Sequence, residues 1–287
     1  MKTTGIFTTT FYTIPFNKYG DKISIIPFGD IHRSSPQCHA DKWLDDLKKM
    51  RSIKNAFFIG MGDYDDLMST SERDVINNGR LHDSTRKTLE DGYMKFTQRL
   101  AKEMDFMKGR IIGLVEGNHY STFSWGQTTT QYLCQLLGCK YLGVSAFIRI
   151  RFSYDKHHTH AYTIWAHHGL GGGRTTGASI NKLETMLKVA VADCYLMGHD
   201  HRKSIAFLNI LDLSDTRMGK EPILINKKIV MARTGSYLKG YVANEPTYIA
   251  DAAMNPSDLG HVRIEITPMR KHLTHADERW LEVNGQI

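Results

Sequence analysis

Five short apolar runs, at residues 23–28, 56–59, 111–115, 162–166 and 195–197, each stop at a cluster of carboxylates, amides or imidazoles. Each run has the length and composition of a strand. Helix-like segments lie at 40–50, at 84–107 closed by Gly109, at 128–137 closed by Gly138, and at 178–192. A chain in which strand and helix alternate is confined to layered α/β architectures. In such sheets, functional groups gather beyond the carboxyl ends of the strands. After His201 the pattern turns β-rich, with runs at 204–213, 223–234 and 261–266, and residues 146–166 read as a hairpin turning at "YDKHHTH". No repeat, low-complexity tract or Pro/Ser-rich linker divides the chain. A single domain over 1–287 is expected, with a motif core at about 23–202 and a β-rich closing segment at about 203–287.

At 287 residues and 41% hydrophobic content the chain can bury a full core without staples. The formal net charge of +7 favours phosphate-bearing or otherwise acidic partners. Its cations are scattered apart from "KKMRSIK" at 48–54, which reads as a solvated helix end. The N-terminal "MKTTGIFTTTFYTIPF" has no continuous apolar core of a secretory leader, and no run approaches the roughly 18 apolar residues of a membrane span. A cytoplasmic protein with no membrane contact is expected. Cys38, Cys134, Cys139 and Cys194 form no CxxC pair and sit in or beside apolar stretches, the pattern of reduced, mostly buried thiols.

The residues after the five runs are the informative ones. "FGDIH" carries Asp30 and His32, "GMGDYDD" carries Asp63 and Asp66, and "EGNHY" carries Asn118 and His119. "HHGLGGGRTTG" carries His167, His168 and Arg174, and "MGHDH" carries His199 and His201. Pairs spaced i, i+2 on extended backbone project to one side, so Asp30 with His32 and His199 with His201 are expected to reach a common site. Gly29, Gly62, Gly117 and Gly198 precede the polar groups, where they are expected to allow sharp exits and close backbone approach. One such fragment is commonplace, but five in order, each directly after a strand, point to a metal site.

In that order, GDIH, GDYDD, GNH, HHG and GHDH resemble the five signature motifs of the calcineurin-like metallophosphoesterase superfamily, over about residues 25–202. The resemblance implies an α/β fold of the four-layer αββα sandwich type and two divalent ions about 3.5–4 Å apart. One ion would be held by Asp30, His32, Asp63 and His201, the other by Asp63, Asn118, one histidine of HHG and His199, with Asp63 bridging. Mixed N/O ligation of this kind accepts manganese, taken as the first candidate, and equally iron, zinc, nickel or cobalt, so the ligand set does not choose the metal. In relatives with a glycine-rich continuation the ligand looks like the histidine directly before Gly, here His168, with His167 the alternative. His167 would then close the strand on its opposite face.

The resemblance further implies that a bridging water is activated for in-line attack on phosphorus. His119 would serve the leaving oxygen, oriented by Asp66, with Asp65 a solvated neighbour or, after a one-residue shift, the partner itself. Arg174 could offer a forked donor to a phosphate oxygen, or belong to a plain lead into the helix near Ala178. Tyr237 and Tyr241 could line the cleft, although packing suits them better. Phosphoprotein phosphatases of the superfamily follow the second motif with Arg-Gly and the third with an acidic residue; Leu67, Met68 and Tyr120 stand there in this chain. That departure shifts weight to a phosphodiesterase acting on nucleotides or nucleic acid. A phosphomonoesterase or phosphoprotein phosphatase is the alternative, and a catalytically silent nucleic-acid-binding protein the non-enzymatic one. The sequence gives no oligomeric state.

Overall fold

The strand Ile23–Phe28 (β2) is buried at all six positions, which explains why its sequence is an unbroken apolar run. It pairs in parallel with Ala56–Gly60 (β3), and β3 in parallel with Ile111–Leu114 (β4). The computed structural model describes residues 7–69, 71–73, 76, 82–171, 175–213, 221–251, 253, 255–272 and 277–287. Arg174, the expected phosphate donor, lies outside them. On the far side of β2, Arg263–His272 (β10) and Asp277–Gln286 (β11) complete a sheet in the order β11-β10-β2-β3-β4.

A second sheet, in the order β1-β5-β6-β7-β9-β8, contains Thr8–Pro15 (β1), Ser145–Ser153 (β5), Thr159–His167 (β6), Cys194–Met197 (β7), Lys203–Leu213 (β8) and Leu224–Thr234 (β9). The hairpin expected at 146–166 is β5 paired antiparallel with β6. β5 alternates buried and more accessible positions, the two-residue period of a strand with unequal faces.

Three apolar clusters reveal the layers. Ile23, Ile25, Ile59 and Ile112 of the first sheet pack against Ile148, Ile164, Leu196 and Val230 of the second. The outer face of β2–β4, including Ile26, Phe28 and Phe58, is covered by Trp43, Leu47 and Met50 of helix Ala40–Ser52 (α1), Leu100 of Asp83–Glu103 (α2) and Leu133 and Leu137 of Thr129–Leu137 (α3). The outer face of the second sheet, including Trp165, Tyr195 and Met231, receives Leu183 of helix Thr176–Met186 (α4). The order is therefore helix, sheet, sheet, helix: a four-layer αββα sandwich.

Local chemistry sets the helix ends. In α3, Thr128 and Gln131 form a reciprocal capping box, and Gly138 ends the helix in the left-handed conformation. Two helices differ from expectation. The segment expected at 84–107 stops being α-helical at Glu103 and tightens into a 3-10 turn at Asp105–Met107. The helix expected at 178–192 ends at Met186, because Val189 and Val191 are exposed while Ala190 and Ala192 are buried, a two-residue alternation no α-helix can present to one core. The four cysteines are free and three of them are buried. Among the described residues no helix is long and apolar enough to cross a membrane.

Candidate metal centre

Parallel pairing of β2, β3 and β4 delivers their carboxyl ends to one edge, and parallel pairing of β6 and β7 does the same in the second sheet. The two edges meet. The Asp30 N–H donates to the Gly62 carbonyl at 2.9 Å and the Ile31 N–H to the Asp63 carbonyl at 2.8 Å, tying the first two motifs together. The Gly198 N–H donates to the His168 carbonyl at 2.8 Å, tying the fourth to the fifth. One link between the sheets is the His199 N–H donating to Asp30 Oδ2 at 2.9 Å.

Asp30, His32, Asp63, His199 and His201 all have positive φ, between 47° and 72°. These are sparsely populated conformations for residues bearing a Cβ, of the kind retained where function needs them. The i, i+2 pairs thus share a site through left-handed kinks and not, as expected, through extended pleating. Of the four preceding glycines only Gly62 itself has positive φ, at 101°. Gly117 is required for close approach, because a Cβ there would collide with the Asp63 carboxylate and its backbone nitrogen.

The side chains fall into two groups that share Asp63. On one side, His201 Nε2 is 3.6 Å from Asp30 Oδ1 and His32 Nε2 is 3.8 Å from Asp63 Oδ2. On the other, His168 Nε2 is 3.2 Å from that same Asp63 Oδ2, 2.9 Å from Asn118 Oδ1 and 3.3 Å from His199 Nδ1, and His199 Nδ1 is 3.0 Å from Asn118 Oδ1. Asp63 Oδ1 is occupied, accepting from the Asn118 and His119 N–H groups at 2.7 and 2.9 Å. Clusters of ligand-type atoms that could hold an ion are Asp30–His32–His201 and Asp63–His168–His199, with a third, His32–Asp66–His119, beside them.

The donor set fits cations. Asp30 Oδ1 and both ring nitrogens of His32 are buried and lack hydrogen-bond partners among the described residues, an arrangement costly to maintain unless something satisfies those atoms. Burial lifts the Asp30 carboxyl to about 7 and pushes His199 down to about 4 and His201 to about 3, so both imidazoles present lone pairs. Burial would also lower His168, but the Asp63 carboxylate against it prevails and raises it to about 9. Positive charge is thus favoured where Asp63, Asn118 and His168 converge. His168 Nδ1 lies 2.7 Å from the Met61 carbonyl, the outer contact that orients a ligating imidazole. His167 points elsewhere: its Nδ1 accepts from the Gly169 N–H at 2.8 Å and its ring stacks on Trp165.

His119 Nδ1 is 2.7 Å from Asp66 Oδ1, and Asp66 Oδ1 is also 3.6 Å from His32 Nδ1. His119, then His32, hold the Asp66 carboxyl well below the usual carboxylate range. Asp65 corrects the expectation of a solvated neighbour: it is buried, with burial lifting its carboxyl to about 6, and Arg99 Nη2 stands 3.9 Å away. Tyr237 is fully buried against Trp43, its hydroxyl donating to Asp46 Oδ2 at 3.2 Å, so it lines no cleft; Tyr241 is half exposed.

Two arginines that carry no motif signal hold this centre from behind. Arg233, 1% exposed, donates through Nη1 to the Gly198 carbonyl at 3.1 Å and through Nη2 to the Ser179 carbonyl at 2.8 Å, with Asp200 Oδ2 3.3 Å from its Nε. Arg73 donates to three carbonyls around Asn118 and His119. Both stand far from the motifs they brace in sequence, so only the folded contacts reveal them.

The class of molecule defined by this fold and site is an αββα sandwich with an Asp/His/Asn cluster suited to divalent cations at the joined strand ends. No protein-family model and no curated protein matches the sequence. Among solved structures, the chain is similar to vacuolar protein sorting 29 of Cryptosporidium parvum, at 8% identity and a TM-score of 0.35 over 94% of this chain and 100% of that one. It is also similar to a conserved protein of Streptococcus pneumoniae TIGR4 described as a predicted phosphoesterase, at 14% identity and a TM-score of 0.32 over 91% and 99%. A third likeness is to the NAD nucleotidase NadN of Haemophilus influenzae, at 10% identity and a TM-score of 0.33 over 86% of this chain and 47% of that one. Likeness this faint is no guide to activity, which has to be argued from the residues.

Proposed function

We propose that the chain, as one domain, is a dinuclear metal-dependent phosphoesterase whose substrate is a phosphodiester in a nucleotide or nucleic acid. The observation that carries this reading is the position of Asp63 Oδ2, 3.8 Å from His32 Nε2 and 3.2 Å from His168 Nε2, between two groups of ligand atoms. Asp30, His32, Asp63 and His201 would hold one ion, and Asp63, Asn118, His168 and His199 the other, manganese being the first candidate. Divalent ions in such a site supply an activated water and neutralise phosphoryl charge.

The remaining work belongs to the chain's own groups. As a water oxygen bonds to phosphorus the bond to the leaving oxygen breaks, and that oxygen takes a proton from His119. Asp66, kept ionised, stands 2.7 Å from Nδ1 and leaves Nε2 as the nitrogen for proton transfer. The diester preference is supported by Leu67, Met68 and Tyr120 standing where phosphoprotein phosphatases carry Arg-Gly and an acid, and by the net charge of +7.

The deciding experiment measures turnover of oligonucleotides, cyclic nucleotides, aryl mono- and diesters and phosphopeptides, each with manganese, iron, zinc, nickel and cobalt, alongside elemental analysis after reconstitution. Diester turnover with close to two ions per chain is expected. Strong preference for monoesters would replace the substrate assignment, and failure to retain transition metals would end the reading. If the substrate is duplex DNA, log affinity should fall against log salt with a slope of about −0.9 per phosphate neutralised; a flat profile would favour small nucleotides.

A further inference from the structure

We propose that Arg73 is a positioning residue that sets His119 against Asp66. Its side chain is buried, and the two N–H groups of its Nη1 are shared among the carbonyl oxygens of Met68 at 2.9 Å, Asn118 at 2.7 Å and Tyr120 at 2.9 Å. Met68 stands two residues beyond Asp66, whereas Asn118 and Tyr120 are the immediate neighbours of His119. One nitrogen therefore grips the backbone on both sides of the imidazole and fastens it to the segment carrying its carboxylate. Beside that grip, Asp63 Oδ1 accepts the Asn118 and His119 N–H groups from the N-terminal end of the second motif, while on the Asp66 side the backbone bond is the Leu67 N–H to the His119 carbonyl, at a long 3.4 Å.

The guanidinium is itself fixed in place. Its carbon lies 3.9 Å from the centroid of the Tyr120 ring, the stacking geometry of a cation on an aromatic face. Its backbone is anchored by the Arg73 N–H donating to the Ser69 carbonyl at 3.0 Å, and Ser69 and Glu72 cap each other through the Ser69 N–H to Glu72 Oε2 at 2.7 Å and the Glu72 N–H to Ser69 Oγ at 3.4 Å. A buried cation with three carbonyl acceptors, all bordering one histidine–carboxylate pair, is a device for orientation. It also explains why Tyr120 occupies the place after GNH: its ring is the platform on which the guanidinium rests.

The chemistry served is that of the phosphoesterase reading, so the test has one arm that needs turnover and one that does not. Arg73→Met and Arg73→Lys would be compared in the full chain with manganese, on one diester with an activated aryl leaving group and one with a poor alkyl or nucleoside leaving group. Misplacing a catalytic group by about 1 Å can cost on the order of a hundredfold. Arg73→Met is expected to lose at least about tenfold more kcat on the poor leaving group than on the activated one. Lysine, whose ammonium offers three N–H donors to three carbonyls, should restore a measurable part. Equal losses on both esters, with lysine no better than methionine, would overturn the proposal.

In the second arm, nitrogen-15 imidazole spectra of the metal-free protein are recorded for wild type, Asp66→Asn and Arg73→Met. Both substitutions should move the His119 resonance, and an unmoved resonance in Arg73→Met would overturn the proposal whether or not any ester is hydrolysed. A wild type that turns over no phosphate ester, with the resonance shifted, would instead remove the phosphoesterase reading and leave the positioning role standing. If Arg73→Met does not fold, Arg73→Gln, an uncharged donor, takes its place in both arms.

Discussion

Asp63 divides its two oxygens between tasks. Oδ1 accepts two backbone N–H bonds from the Asn118–His119 segment, and Oδ2 faces imidazoles of both ligand groups. Asp63→Asn keeps the shape and one acceptor but removes the charge. The expected result is an unchanged circular dichroism spectrum, fewer than half the wild-type ions retained, and turnover lowered at least on the order of a thousandfold if both ions are needed; unchanged turnover would refute the bridging role. His168→Ala should likewise lose bound metal, whereas His167→Ala should keep it, since the His167 ring turns to Gly169 and Trp165. His119→Ala should slow poor leaving groups more than activated ones, and equal losses would argue against proton donation. At this scale the sequence named the converging residues, because each follows an apolar run. It did not show that five of them adopt positive φ or that Asp65 is buried, since both depend on how neighbouring loops press on one another.

Among the elements, β2, β3 and β4 were legible because parallel strands buried on both faces are continuous apolar runs. β1 and β11 were not; both are sheet edges, as β4 and β8 are, but without the apolar runs that marked those two. Each pairs with one neighbour and keeps much of its length in solvent, so "TTTFYTIP" and "DERWLEVNGQ" carry polar groups and only a weak alternation. The turn after β4 shows how an element delivers a residue to the site. Gly117 lets this backbone pass directly under the Asp63 carboxylate, where a Cβ has no room. Gly117→Ala should therefore push the Asn118–His119 segment away, costing about 1–3 kcal/mol of stability by overpacking and abolishing binding of the second ion. Calorimetric melting and metal titration would check it, and wild-type metal affinity in a folded Gly117→Ala protein would show that the close approach is dispensable.

For the whole molecule, the layered α/β class followed from the alternation of runs and the four-layer αββα order from the resemblance of the five motifs, whereas the ties between its layers are polar contacts with no periodicity to detect. The Arg233–Asp200 pair makes one such tie, both side chains meeting Ser179 of α4 beneath the fifth motif. Arg233→Met would leave Asp200 unpaired and should cost about 3–5 kcal/mol, the usual penalty for removing one partner of a buried pair. A second tie is Asp46 of α1, which meets Lys42 Nζ at 2.5 Å, the Tyr237 hydroxyl at 3.2 Å and His261 Nδ1 at 3.5 Å, joining the helix layer to the β9–β10 connection. Burial pulls the Asp46 carboxyl up, but His261 and Lys42 outweigh it and hold the group well below the usual carboxylate range. A carboxyl whose pKa is lower folded than unfolded contributes stability that is complete above the unfolded value, near 3.9, and fades as pH falls through the folded one. The stability gap between wild type and Asp46→Asn in urea titrations should therefore be constant from about pH 5 to 7 and close progressively below about pH 4. A gap that persists unchanged down to about pH 2 would mean that Asp46 acts through shape and hydrogen bonding alone, and that its charge contributes nothing to holding the layers together.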